Sequence, residues 1–383
     1  MSDRPRFFWI GIALALSIAA ACTVAAVSSS HSGAGSAQPD IVAASTQPPG
    51  IPIGLDYGNT LFNAGSAKIA AGFADAKKLG ASWVRVDLPW DGVQDTSSSS
   101  AYDWSRFDEL VDAADSRGLE LLVTVVDPPT WARTPQCDTQ ESCEPLDPKA
   151  YAAFAAHAAA RYAPYGVHDW EIWNEENLGS FAASAHPAAA YEKLLADSYT
   201  AIHKADEHAV VMIGGLGMSD TDPSQNWIGA YSFLSGLAVA GGLDFADAIG
   251  VHPYDWNHMP AQSAAFKLID GTGQSLESIL ETYGHGGTPF WITETGAPTS
   301  GSGSAASTDS TGASHVTYAR QAQIATATVA AETADPHIRG LFWYTDTDLP
   351  GSGLYYGLRT AHGSAKPAFS ALQKAIAAYR ASL

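Results

Sequence analysis

One alternation restricts what this chain can fold into more than any other feature. Short apolar, β-branched runs at Ile53–Tyr57, Ser82–Leu88, Glu120–Val126, Asp169–Asn174, Ala209–Ile213, Ala248–His252, Pro289–Glu294 and Gly340–Thr345 read as strands. Longer Ala/Leu-rich stretches with helical spacing follow them, near Ser66–Leu79, Ser105–Arg117, Pro148–Tyr162, Pro187–Asp206, Trp227–Ala240, Ser275–Tyr283, Ala313–Thr333 and Ala365–Arg380. Strands separated by helices run parallel, because a crossover of that length is what returns a chain to the same edge. Eight such units predict an α/β chain whose residues 51–383 form a single (β/α)8 barrel. A doubly wound nucleotide-binding sheet alternates in the same way. It carries a glycine-rich phosphate loop after its first strand, where this chain reads Gly58-Asn59-Thr60-Leu61.

The barrel is preceded by two segments of different character. Trp9–Val27 runs nineteen residues without a charge, behind Arg4 and Arg6. Residues 1–27 therefore read as a signal peptide or a retained signal anchor, with everything after them exported. Cys22, after Ala19-Ala20-Ala21, faintly resembles a lipoprotein box but lacks the usual leucine. Residues 28–50, rich in Ser, Ala, Gly and Pro, read as a flexible linker. The expected location is extracytoplasmic, secreted or held on the outer face of the membrane, with membrane contact only through the N-terminal segment.

Charge narrows the partners. Twenty Lys and Arg stand against forty Asp and Glu, a formal charge of −20. Asp3, Arg4, Arg6 and Asp40 cancel, so the whole excess belongs to residues 51–383. A dedicated nucleic-acid binder needs a basic face, so that class is excluded. A neutral or cationic substrate suits the domain better than an anionic polymer. Cys137 and Cys143 are the cysteines of the exported part. Export permits a disulfide between them, and two thiols without a nearby His or second pair are too few for a structural metal. No metal and no cofactor are expected, and the chain is read as a monomer.

A barrel of this kind does its chemistry where strands end, and the strand ends here are polar. The second supplies Arg85 and Asp87 and the third runs into Asp127-Pro128-Pro129-Thr130-Trp131. The fourth ends Trp173-Asn174-Glu175-Glu176-Asn177, and the sixth His252-Pro253-Tyr254. The seventh ends Thr293-Glu294-Thr295-Gly296, and the eighth Trp343-Tyr344-Thr345-Asp346.

Trp170-Glu171-Ile172-Trp173-Asn174-Glu175 and Trp291-Ile292-Thr293-Glu294-Thr295-Gly296 resemble the strand-four and strand-seven motifs of retaining (β/α)8 glycoside hydrolases. The likeness is to family 39 and family 5-like enzymes, such as cellulases, β-xylosidases and exopolysaccharide endoglycosidases. Trp83-Val84-Arg85-Val86-Asp87, Tyr102-Asp103-Trp104, Gly118-Leu119-Glu120-Leu121-Leu122, Pro129-Thr130-Trp131-Ala132 and Lys366-Pro367-Ala368-Phe369 extend it over nearly all of 51–383. The resemblance implies a carbohydrate substrate, Glu175 as acid/base and Glu294 as nucleophile of a double displacement. It implies Asn174 on a sugar hydroxyl, and Arg85 and Tyr254 orienting the nucleophile, with His252 one layer deeper. Trp343 is the expected floor beneath the attacked sugar.

Several residues have a plainer reading. Glu171 shares strand parity with Glu175 and reads as a buried structural carboxylate, while Glu176, where the family usually has proline, reads as a solvated loop residue. Trp131 and Trp90 are either sugar platforms or packing aromatics. Asp346 and Asp348 are assigned no metal. Glu175, without a cationic partner, is expected to keep its proton to higher pH than Glu294. Ser300–Ser314 reads as a loop that covers the cleft. A transglycosylase using the same intermediate and a catalytically silent carbohydrate-binding barrel are the alternatives.

Overall fold

The computed structural model describes residues 49–95, 102–133, 147–179, 187–300, 308–309, 312–313, 315–349 and 355–383. The N-terminal segment, most of the linker and the Cys137–Cys143 pair lie outside the described residues. Eight parallel strands close a barrel: β1 (Ile53–Asp56), β2 (Trp83–Pro89), β3 (Glu120–Val126), β4 (Asp169–Ile172), β5 (Val210–Gly217), β6 (Ala248–His252), β7 (Phe290–Thr295) and β8 (Ile338–Tyr344). Each pairs with its sequence neighbours, and β1 closes the ring against β8 with Ile53 opposite Leu341. The predicted (β/α)8 barrel is the observed fold. Among the described residues no helix is long and apolar enough to cross a membrane.

The helices follow their sequence signals with local adjustments. Asp147 caps the helix Pro148–Tyr162 by accepting from Lys149 N, with proline at the first turn. The helix expected from Ala313 begins at Tyr318, because Thr317 caps it by accepting from Arg320 N. The one expected from Trp227 begins at Ala230, after the extended residue Gly229. Ser263 caps a short helix, Ala264–Asp270, that the periodicity did not show.

Side-chain alternation sorts the strands into two cores. Outward residues such as Leu55, Val84, Val86, Val125, Ile172, Ile213, Val251 and Ile292 pack under the helices. Inward residues Leu122, Met212, Ala248, Trp291 and Phe342, with Trp83 and Val210 against them, plug one half of the barrel. Trp83 meets Trp291 edge-on at 5.5 Å, and Trp291 stacks on Phe342 at 6.2 Å. This apolar plug separates the polar mouth from the opposite end of the barrel.

Two irregularities re-aim side chains. Between β7 and β8, Ile292 pairs with Leu341 but Thr295 pairs with Trp343, so one extra residue is accommodated on β7. Strict alternation would send one of Thr293 and Glu294 outward, whereas the bulge turns both toward the interior. On β5 the register slips between Ile213 and Leu216, at Gly214 and Gly215. A β-carbon at Gly215 would collide with the His252 imidazole, so that glycine is what lets His252 occupy the barrel. The loop after β7 contains a two-strand hairpin, Thr308–Asp309 with Gly312–Ala313; the rest of the expected Ser300–Ser314 cover lies almost entirely outside the described residues.

Candidate active site

Arg85 organises the polar half. Its side chain is 1% exposed and donates from Nε to Glu171 Oε2 at 2.6 Å, from Nη1 to Glu294 Oε1 at 2.6 Å and from Nη2 to Asn174 Oδ1 at 2.7 Å. Asp56 Oδ2 lies 3.3 Å from Nη1. Glu171 also accepts from Thr124 Oγ1 and Thr293 Oγ1, each at 2.8 Å, and is the buried structural carboxylate expected. Fixed by three carboxylates, the guanidinium has one geometry to offer Glu294 and Asn174.

Glu294 therefore sits in a site built for its charge. Burial works against ionisation, but His252 and Arg85 outweigh it, and Tyr254 Oη donates to Oε2 at 2.8 Å. The carboxyl is held below its usual range. Both orienting groups expected around Glu294, Arg85 and Tyr254, are in contact with it.

Glu175 reaches the same mouth by a different route. The fourth strand stops at Ile172, two residues short of the expected end, because Trp173 (φ 70°) and Glu175 (φ 48°) adopt left-handed backbone. Such conformations cost about 1–3 kcal/mol each for non-glycine residues. They are held by Trp173 N donating to Val125 O and Glu175 N to Gly215 O.

One expectation about Glu175 is corrected. It has a cationic partner available, since His252 Nδ1 lies 3.0 Å from its Oε1. His252 Nε2 lies 3.1 Å from Thr293 Oγ1 and 3.7 Å from Glu294 Oε1, so one imidazole separates the two carboxylates. Burial opposes protonation of His252, but Glu294 and the bond to Glu175 more than offset it, and its proton affinity is raised. Thr293 gives its only hydroxyl proton to Glu171. It must then accept from His252, which places a proton on Nε2.

Trp343 is not the floor of the site. It is 3% exposed and belongs to the outer core, where it shares a cavity with Ala325, Thr328, Val329 and Leu372. The reason is parity: Phe342 points into the barrel, so Tyr344 does too and Trp343 points away. Tyr344 is half-buried and meets Tyr356 edge-on at 5.6 Å. Tyr356 meets Tyr254 at 5.6 Å, which joins Tyr344 to the wall beside Glu294. Counting residues from Gly340 would have found it.

Of the two tryptophans near the mouth, Trp90 is a packing group and Trp131 is half-buried beside it. Trp90 is 1% exposed, stacks on Phe154 at 5.4 Å and donates to Gln94. Trp131 packs edge-on against it at 5.3 Å. Asp87 was not assigned a role by the sequence. It stands one pleat above Arg85 on β2, half-buried, and burial together with Glu294 and Glu171 outweighs Arg85 and pushes its carboxyl up to about 7. Asp270, Asp335 and His337 gather their ligand atoms within 4.8 Å at the opposite end of the barrel, just before β8. They are remote from the mouth and no part of the site.

Glu176 reverses its expected character. Far from solvated, it is 2% exposed, and neither carboxyl oxygen has a hydrogen-bond partner. The nearby Tyr191 hydroxyl donates instead to Ile172 O. Burial raises the Glu176 pKa well above the carboxylate range, so it stays neutral in the folded chain. The unfolded chain ionises it above about pH 4.3. The native state then holds the extra proton, and stability is lost as pH rises. Glu176→Gln removes this titration. Its urea midpoint is expected to fall less between pH 5 and pH 8 than that of the wild type; parallel profiles would show that Glu176 ionises in the fold.

A closed (β/α)8 barrel carries two carboxylates of unlike environment at the carboxyl ends of its fourth and seventh strands, the arrangement that the resemblance of those two motifs implies. The chain belongs to the cellulase family, glycosyl hydrolase family 5, whose model matches residues 45–334. No curated protein matches the chain.

Its fold is similar to that of a family 39 glycoside hydrolase from Bacteroides cellulosilyticus WH2, with a TM-score of 0.62 and 19% identity over 85% of this chain. The chain spans 64% of that enzyme. It is also similar to a GH5_18 protein from Streptomyces cattleya in complex with GlcNAc, with a TM-score of 0.62 and 19% identity over 88% of this chain and 82% of that one. A xylanase 10B from Thermotoga petrophila RKU-1 in complex with xylobiose has a TM-score of 0.57 and 15% identity over 86% of this chain and 95% of that one.

Proposed function

We propose that the chain is a retaining O-glycosidase of a cell-envelope or environmental polysaccharide or oligosaccharide, with Glu294 as nucleophile and Glu175 as acid/base. The observation that carries this is the unequal setting of the two carboxylates. Glu294 is kept ionised by Arg85, His252 and the Tyr254 hydroxyl, while Glu175 faces one titratable ring. A carboxylate held ionised by its surroundings suits the nucleophile, which leaves the acid/base role to Glu175.

In the first step Glu294 Oε attacks the anomeric carbon as the glycosidic bond breaks, and Glu175 gives its proton to the departing oxygen. Loss of that proton leaves Glu175 anionic beside His252. With Nε2 already protonated, Nδ1 accepts from the acid form of Glu175 or, as imidazolium, donates to its carboxylate. His252 can thus follow Glu175 through both states without moving. In the second step Glu175 takes a proton from water, which attacks the glycosyl-enzyme and regenerates Glu294 with net retention. Asn174, anchored on Arg85, presents its amide to the sugar, and Asp87 and Tyr344 line the same side of the mouth.

The domain is further proposed to act outside the cytoplasm, delivered by residues 1–27 and closed locally by a Cys137–Cys143 disulfide. The reading is tested by screening aryl glycosides and envelope polysaccharides with wild type and Glu294→Gln in parallel. Turnover of at least one sugar by the wild type alone supports it. Equal turnover by both chains contradicts it.

A further inference from the structure

A second cavity, of about 440 Å³, opens between the helix Ser66–Leu79 and the segment that follows β8. That volume lies within the range of small-molecule sites. Lys68, Ala71, Gly72 and Asp75 line it from one face of the helix, at helical spacing. Asp346, Thr347, Asp348 and Arg359 line it from the other side, with Tyr57 and Thr60 at the end of β1. Tyr57 directly follows Asp56, and Asp346 is the second residue after β8, so the cavity lies at the same end of the barrel as Glu294. The Gly58–Thr60 turn stands between them, since a β-carbon on Gly58 would lie 3.6 Å from Asp87 Oδ2.

Two buried atoms in this cavity lack partners, and they are complementary. Arg359 is locked by Nη2 donating to Asp75 Oδ1 at 2.6 Å and by its Cζ lying 4.7 Å from the Phe369 ring centre. Its Nε donates to nothing. Asp346 is 6% exposed, and its Oδ2 accepts from Thr347 Oγ1 at 2.9 Å, whereas its Oδ1 has no hydrogen bond. Nε and Oδ1 lie 3.9 Å apart, too far to bond directly. The wall that carries them is tied down by Arg359 N donating to Asp346 O and Asp348 N donating to Arg359 O. A hydroxyl group resolves both deficits at once, accepting from Nε and donating to Oδ1.

The remaining lining narrows the ligand. Asp348 is matched by Lys366 at 2.7 Å, Arg359 faces both Asp75 and Asp346, and Lys68 is the remaining cation, so three acidic and three basic groups roughly cancel. That balance disfavours an anion such as phosphate or a uronate. Leu61, Ala71, Leu349 and Ala361 supply apolar walls, which suits the C–H faces of a pyranose. We propose that this cavity is a second carbohydrate-binding site, holding a neutral sugar unit of the chain being cut away from the reacting centre. The proposal rests on the carbohydrate reading of the mouth.

The test uses cellotetraose, xylotetraose and mannotetraose, titrated calorimetrically into the Glu294→Gln chain. At least one tetraose is expected to bind, and adding Ala71→Phe, which fills the cavity, or Asp346→Ala should weaken it about tenfold or more. In the otherwise wild-type chain, Ala71→Phe should leave kcat/KM on aryl monoglycosides within about twofold, because those substrates do not reach the cavity. Absence of tetraose binding, affinity unchanged in both variants, or Ca2+ binding abolished by Asp346→Ala in place of sugar binding would each overturn the site. Should Glu294→Gln still turn sugar over, the nucleophile assignment fails, while the Ala71→Phe titration still decides the cavity.

Discussion

Glu294→Ala is expected to lower kcat/KM by on the order of 10⁴- to 10⁶-fold, the scale seen when other enzymes lose their nucleophile. Two neighbouring carboxyl groups are not placed to replace it. Glu171 is committed to Arg85, Thr124 and Thr293, and Asp56 is fully buried. The fold should tolerate the change. Breaking a buried ion pair costs about 3–5 kcal/mol when it strands a charge, but Arg85 keeps its bond to Glu171. The urea midpoint should therefore move little, which separates lost chemistry from lost structure. Sodium azide supplies a small nucleophile to the vacated space, so the variant should form a glycosyl azide of inverted configuration from an activated aryl glycoside. Activity within tenfold of wild type would remove Glu294 from the mechanism.

Glu175→Ala should divide substrates by their leaving groups. Proton donation contributes about 10²- to 10⁴-fold, but only where the departing oxygen needs it. Natural saccharides should lose that full factor, whereas glycosylation by a 2,4-dinitrophenyl glycoside should be nearly unaffected. With base help also lost, the intermediate should accumulate and give a burst of dinitrophenol. An equal loss on both substrates would assign Glu175 a structural role and leave the acid to be found elsewhere.

The barrel was legible because eight strand–helix units repeat one physical pattern, and the two catalytic candidates because each closes a strand with a recognisable motif. What escaped depends on departures from regularity. The β7 bulge that turns both Thr293 and Glu294 inward leaves no trace in a period-two pattern. The left-handed residues Trp173 and Glu175 end β4 early without a glycine to announce it. Trp343 was assigned by motif position when counting alternate residues from Gly340 would have selected Tyr344. Glu176 carries a charge in the sequence, yet its neighbours Tyr191, Gly214 and Ile172 come from other parts of the fold or the preceding strand, and none is visible as its surroundings until the helix docks. The His252–Glu175 contact joins residues 77 apart in sequence, and its spacing required Gly215 to lack a side chain.

The central claim is double displacement through Glu294, and stereochemistry tests it most directly. Hydrolysis of an aryl glycoside found in the screen can be followed by proton NMR within the first minutes, before the sugar product equilibrates between anomers. The account predicts that the first product has the same anomeric configuration as the substrate. A first product of opposite configuration would mean that water attacks directly, with Glu294 as a base and not a nucleophile, and would contradict it.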